Sequence, residues 1–234
     1  MTYCISDIHG CYDEFMQLLK KIKFGSDDTL YILGDAIDRG PDSIKCVQYI
    51  MEFSNMRMLM GNHEQMMVDF FSGGDGGDWM RNGGKTTLTE FCALERDEQL
   101  RIIDYLMDLP YTAEVRIDDQ NYVLVHAGLN VKANLFGQSQ VSTNQVLANQ
   151  FVDDVLWIRE KFYRKKALPR SIVIFGHTPN QHLAPLEKNE NPKIWHDEEF
   201  KDKIGIDGGC VYGGALHALR LDDLKEYSVM RILN

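Results

Sequence analysis

Five cysteines occur, Cys4, Cys11, Cys46, Cys92 and Cys210, and none belongs to a C-x-x-C pair. Odd in number and scattered, they argue against a disulfide framework and a thiolate-rich zinc site, and read as reduced thiols of a cytoplasmic protein. No apolar run is long enough to span a bilayer, and the first residues lack a basic stretch followed by an apolar one, so neither membrane insertion nor secretion is expected. Positive charge is short, with 25 Lys and Arg against 35 Asp and Glu and a formal net charge of −10. Such a chain repels nucleic-acid phosphates and anionic lipid, which excludes both as bulk partners. An anionic substrate then needs local positive charge, which bound metal ions can supply. No repeat, linker or low-complexity segment interrupts the 234 residues, so a single domain over 1–234 is expected.

What is present is an alternation of buried strands and amphipathic helices. Thr2–Ser6 is short and apolar, and a helical pattern follows with Phe15, Leu18, Leu19 and Ile22 on one face. Thr29–Leu33, Ile44–Met51 and Met56–Met60 read as strand, helix and strand. This β-α-β-α-β order predicts an α/β fold with a mainly parallel sheet. Residues 65–110 read as helical, broken at Ser72–Gly77 and Asn82–Gly84. After Pro110 strands return at Tyr122–Val125, Ser171–Phe175, Lys203–Ile206, Leu216–Leu221 and Tyr227–Ile232.

The strands end in polar clusters, and in open α/β sheets ligands bind beyond the carboxyl ends of the strands. Five ends carry Asp7 and His9, Asp35 and Asp38, Asn62 and His63, His126, and His177. Taken singly, each is weak: D-x-H is as often a capped turn, Asp35 could cap a helix, and a lone histidine after a strand is usually a surface or core residue. Taken together, five independent ends with carboxylate, imidazole or amide groups, each flanked by glycine, are not what a packed core requires. A mixed oxygen and nitrogen ligand set without thiolates suits Mn²⁺, Fe or Zn²⁺, and two such ions can clamp the attacking and leaving oxygens of a displacement at phosphorus.

The ordered stretches Asp7-Ile8-His9-Gly10, Gly34-Asp35-Ala36-Ile37-Asp38-Arg39-Gly40, Gly61-Asn62-His63-Glu64, His126-Ala127-Gly128 and Gly176-His177-Thr178 resemble the motifs of the phosphoprotein phosphatase family, within the calcineurin-like metallophosphoesterases. The resemblance runs from about residue 3 to residue 221 and is strongest toward bacterial and phage serine/threonine phosphatases. It implies a β-sandwich flanked by helices and a centre of two divalent metal ions, Mn²⁺ first among them. Asp7, His9 and Asp35 would hold one ion; Asp35, Asn62, His126 and His177 would hold the other, with Asp35 shared. Arg39 and Arg159 would bind phosphate oxygens, His63 would protonate the leaving alkoxide, and Asp38 would orient it.

Simpler readings exist for several residues. Arg39 fits an ordinary turn, Arg159 an exposed helix charge, and Glu64 a first-turn residue favoured by the helix dipole. His182, His196 and His217 lie outside the motifs and read as structural or exposed. The methionines from 51 to 67 read as core filler. Gly84-Lys85-Thr86 fails as a P-loop, because Trp79 stands where that motif needs glycine.

For function, the resemblance implies hydrolysis of phosphate monoesters on a phosphorylated protein or a small phosphoester. Asp38 and Glu64 favour a protein serine/threonine phosphatase. The stretches Gly208–Gly214 and His9–Glu14 look at least as close to symmetric diadenosine tetraphosphatases. A non-catalytic metal-binding scaffold is a third reading, disfavoured because every matching position is filled. The S-A-P-N-Y motif of eukaryotic protein phosphatases is absent, so no regulatory subunit is expected.

Overall fold

The computed structural model describes residues 1–131, 143–168, 170–184, 186 and 190–231. The first third is the expected alternation: β1 (Thr2–Ile5), α1 (Tyr12–Ile22), β2 (Thr29–Ile32), α2 (Ser43–Met51) and β3 (Met56–Met58). β1 pairs with β2 and β2 with β3, both in parallel. Four helices follow, α3 (Asn62–Phe71), α4 (Gly77–Arg81), α5 (Gly84–Cys92) and α6 (Arg96–Met107), separated at the two glycine-rich breaks and again at Ala93–Glu95.

The second half contains β4 (Thr112–Ile117), β5 (Gln120–Val125), α7 (Thr143–Leu147), α8 (Val152–Trp157), α9 (Glu160–Tyr163), β6 (Ser171–Phe175), α10 (Asn180–Leu183), β7 (Trp195–His196), β8 (Lys203–Gly205), β9 (Ala215–Arg220) and β10 (Lys225–Met230). The last strand begins two residues before its expected start, and Ile232 lies outside the described residues. β4 and β7 are edge strands that no local pattern singled out. β4 keeps Glu114 and Arg116 exposed and buries none of its residues deeply, so its alternation is faint.

The strands form two five-stranded sheets, β10-β9-β1-β2-β3 and β4-β5-β6-β8-β7. Successive side chains of a strand point to opposite faces, and this sorts the core. Tyr3 and Ile5 face the cluster containing Phe15 and Leu18 of α1, while Cys4 faces the other way. Tyr122, Leu124 and Ile174 meet Cys4, Tyr31 and Leu33 between the two sheets. Val123, Val125, Val173 and Phe175 face Val155 and Phe162 on the outer side. The result is helix, sheet, sheet, helix: the flanked β-sandwich that the resemblance implies. Met56, Met58, Met60, Met66 and Met67 lie in the helix-side core. Among the described residues no helix is long and apolar enough to cross a membrane.

His217 is buried on β9, with Nδ1 2.8 Å from Ser228 Oγ and Nε2 without a partner. Burial pushes its pKa down to about 4 from an ordinary 6.5. Between these values the unfolded chain takes up a proton that the folded chain refuses. Stability therefore falls as pH drops through this window, by up to about 1.4 kcal/mol per pH unit. His217→Gln should flatten the dependence of unfolding free energy on pH between 6.5 and 4 by about one proton. Urea unfolding across that range measures it; an unchanged slope would place the acid sensitivity elsewhere.

Candidate active site

Three of the five predicted strand ends turn sharply. Asp7, His9, Asp35, Asp38, Arg39 and His177 all have φ between +47° and +74°, the left-handed region that costs an L-residue roughly 1–2 kcal/mol. These turns throw the side chains over the ends of the sheets. Adjacent loops are sewn together by backbone bonds, His9 N to Asp35 O at 2.9 Å, Gly10 N to Ala36 O at 2.9 Å and Gly176 N to His126 O at 2.8 Å. Glycine is needed where loops approach most closely. A Cβ on Gly61 would overlap the backbone nitrogen and Oδ1 of Asp35, and one on Gly176 would overlap the carboxylate of Asp7.

The predicted ligands converge. Asp35 is central: Oδ2 lies 3.5 Å from His9 Nε2, and Oδ1 lies 3.5 Å from His126 Nε2. One carboxylate thus presents its two oxygens to two separate groups of side chains. His9 Nδ1 donates to Ile37 O and His126 Nδ1 to Leu33 O, each at 2.7 Å, which leaves both Nε2 atoms as acceptors. Arg39 donates to His9 Nε2. His126 Nε2 faces Asn62 Oδ1 at 2.8 Å and His177 Nδ1 at 3.2 Å, and His177 Nδ1 lies 2.9 Å from Asn62 Oδ1. Asp7 accepts from the backbone nitrogen of His177 with both oxygens, at 3.0 and 3.1 Å.

These residues fit metal cations. Lone pairs gather with few protons between them, His177 Nε2 is buried with no hydrogen-bond partner among the described residues, and the donors are oxygen and nitrogen only. Burial, aided by neighbouring cationic and imidazole groups, pushes His9, His63 and His177 well below their ordinary pKa and His126 below it. For His9, His126 and His177 this favours the neutral imidazole, the form that ligates. Burial, with the Asp7 charge next, raises Asp35 well above the carboxylate range, a strain that a nearby cation relieves.

His63 lies beside this group at the start of α3, its Nδ1 2.6 Å from Asp38 Oδ2. Asp38 also accepts from Trp79 Nε1 at 2.8 Å and from the Thr87 hydroxyl at 2.5 Å. Burial pushes Asp38 up to about 7, but three donors converge on it and hold it as an acceptor. Arg39 and Arg159 both line the cleft, a small cavity of about 80 Å³ over Asp7, His9, Asp35, Asn62 and His177. Arg159 Nη1 donates to His177 O at 3.1 Å and Thr178 Oγ1 at 3.0 Å, so it is anchored at the site rather than loose on a helix.

Residues 2–213 match the model of the calcineurin-like phosphoesterase family. The chain belongs to that family. This phosphoesterase is 32% identical over 225 residues to serine/threonine-protein phosphatase 1 of Salmonella typhimurium, spanning 94% of this chain and 91% of that protein. It is 29% identical over 242 residues to an asymmetrical bis(5'-nucleosyl)-tetraphosphatase, PrpE, of Geobacillus sp., spanning 96% and 92%. A crystal structure of a candidate diadenosine tetraphosphatase shares the fold, with a TM-score of 0.66 at 23% identity over 100% of this chain and 94% of that one. The phosphoesterase is a hydrolase of a family that works through a dinuclear metal centre.

The structure thus brings all ten sequence-predicted residues of the phosphoesterase to one place, and it adds others. Glu64 is more than a first-turn acid. Its carboxylate is fully buried and accepts from the backbone nitrogens of Asp35 (2.8 Å), Ala36 (2.9 Å), Ile37 (3.3 Å) and Gly61 (3.1 Å). Trp79, in the stretch rejected as a P-loop, and Thr87, just beyond it, hold Asp38. Asp207 follows β8 as a sixth strand end and lines the cleft; burial, with the Asp7 charge next, raises its pKa well above the usual range. Its signal was the sequence Ile206-Asp207-Gly208, the same strand–acid–glycine pattern as the others. Outside the centre, Cys11 and Cys210 come together beside Glu14, which pairs with Arg231.

Glu64→Gln keeps the size but sets an amide N–H against backbone donors. It should destabilise the phosphoesterase by about 3 kcal/mol and lower its metal content, because buried donors lose a charged acceptor. Chemical unfolding with metal analysis tests this; full stability would mean that the Asp35 loop holds itself. Asp35→Asn should impair the binding of two Mn²⁺ equivalents, whereas Asp7→Asn should impair one. A titration showing two intact sites in Asp35→Asn would remove its shared role.

Proposed function

We propose that this phosphoesterase is a protein serine/threonine phosphatase that uses two divalent cations, Mn²⁺ in first place, in a cytoplasmic setting. The observation that carries this reading is the His63–Asp38 pair at 2.6 Å, with His63 Nε2 buried and free of hydrogen bonds among the described residues. A serine or threonine alkoxide is strongly basic and needs a proton as it leaves. A nucleoside phosphate leaving from a polyphosphate is far less basic and has little use for an acid locked in place by three further groups.

Asp7, His9 and Asp35 are assigned to one cation, and Asp35, Asn62, His126 and His177 to the other. Bound there, two cations would make a water nucleophilic near neutral pH and offset phosphate charge. Arg39 and Arg159 bind the non-bridging oxygens with planar guanidinium forks. Asp38, fixed by Trp79 and Thr87, orients the His63 imidazole; a phosphate dianion bound beside it offsets the burial that lowers its pKa, and His63 then delivers the proton to the leaving oxygen.

A second reading, a nucleoside polyphosphate hydrolase, is favoured by one feature. The Tyr212 ring at the cleft is 62% exposed and lies 5.5 Å from the Arg39 guanidinium, an open face suited to a base. Turnover of a phosphoserine peptide, a phosphotyrosine peptide and diadenosine tetraphosphate, each with Mn²⁺, separates the two. The phosphoserine peptide should be hydrolysed most efficiently; a large preference for the dinucleotide would reverse the assignment.

His63→Asn should lower turnover of phosphoserine on the order of 10²–10⁴-fold, and turnover of an activated aryl phosphate much less, because a phenolate needs little protonation. Metal content should stay at two. Equal losses for both leaving groups would make His63 a ligand instead of an acid.

A further inference from the structure

The catalytic cleft continues into a larger groove of about 490 Å³, and the two share Asn62, Asn82 and Trp157. The groove floor is apolar, built from Met66 and Phe70 of α3, Trp79 of α4, and Leu156 and Trp157 of α8. Trp157 is 41% exposed, and its ring stands edge-on to His177 with centroids 5.9 Å apart. The apolar surface therefore begins at the metal-site side chains and leads away from them.

The rim has one sign of charge. Asp69, Asp75, Asp78 and Asp153 line it, and among the described residues no lysine, arginine or histidine does. Asp78 pairs with Arg81 at 2.5 Å, but Asp69 accepts only from the neutral Gln65 amide and Asp75 from the backbone of Gly77. Among the described residues, Asp69, Asp75 and Asp153 have no cationic partner within ion-pair distance. This contrasts with the cleft itself, where Arg39 and Arg159 await a phosphate.

A substituent on that phosphate must leave the cleft somewhere, and this groove starts at Asn62 and Trp157. Its floor suits the alkyl stems of lysine and arginine and its rim suits their charged ends. A polyphosphate chain laid there would meet like charge. We propose, resting on the protein phosphatase reading, that the groove is the subsite for residues flanking the phosphoserine, and that it selects basic flanks.

The test uses three phosphoserine peptides differing only in lysine and arginine, neutral or glutamate flanks, with an activated aryl phosphate as control. Wild-type protein is compared with Asp69→Asn/Asp153→Asn, neither residue being part of the catalytic centre. The basic peptide should exceed the acidic one in kcat/KM by about tenfold at low salt, mainly through KM, since exposed charge pairs are individually weak and act here together. High salt should shrink the preference. The double variant should lose most of it while turning over the aryl phosphate like wild type. Peptides hydrolysed without regard to flank, a preference for the acidic peptide, or a preference that survives in the variant would each overturn the subsite while leaving the phosphatase reading standing. Aryl phosphate turnover with no peptide hydrolysed would bring down both.

Discussion

A single buried carboxylate, that of Glu64, accepts hydrogen from four backbone nitrogens on two loops. Through those bonds the start of α3 and the turn after β2 become one body. Asp35 and Asp38 sit on that turn, and Asn62 and His63 on that helix. The backbone nitrogen of His63 in turn donates to Asp35 Oδ1 at 3.1 Å, closing the link from the other side. The distances between the Asp35 carboxylate, the side chains around it and the His63 imidazole are thus set by main-chain geometry, which is stiffer than any side-chain contact.

Around this fixed body the electrostatics follow from a shortage of positive charge. Asp7, Asp35 and Asp207 are buried close together, and burial, with the Asp7 charge next, raises Asp35 and Asp207 well above the usual carboxylate range. The neutral imidazoles favoured at His9, His126 and His177 cannot compensate that charge. Cations can, and the two arginines at the cleft add what a phosphate dianion needs on its far side. An acidic protein can in this way bind an anion at one spot while the rest of its surface repels such anions.

Much of this was legible in the sequence, because the chain writes its ligands at the ends of strands. The buried runs at Thr2–Ser6, Thr29–Leu33 and Tyr122–Val125 are short, apolar and terminated by acid or imidazole next to glycine, so strand position and ligand position are one signal. Glu64 was harder. A glutamate three residues into a helix has a sufficient local explanation, and its bonds to residues 35–37 depend on how β2 and β3 lie side by side. Trp79 and Thr87 carry no local mark at all; they reach Asp38 only because α4 and α5 fold back over the turn after β2. Edge strand β4 was faint for a different reason, since none of its residues is deeply buried and no apolar run marks it.

Six centre residues hold left-handed backbone conformations that an asparagine or glycine would adopt more easily. Folding free energy is therefore withheld from the scaffold at the very positions that build the site. A copy of this chain released from catalytic duty would relax its backbone by drifting toward asparagine or glycine there, wherever the lost side chain leaves no buried donor unpaired. Robustness and competence pull against each other at these turns, so a search for hardier variants that scores folding alone would tend to erase the centre first.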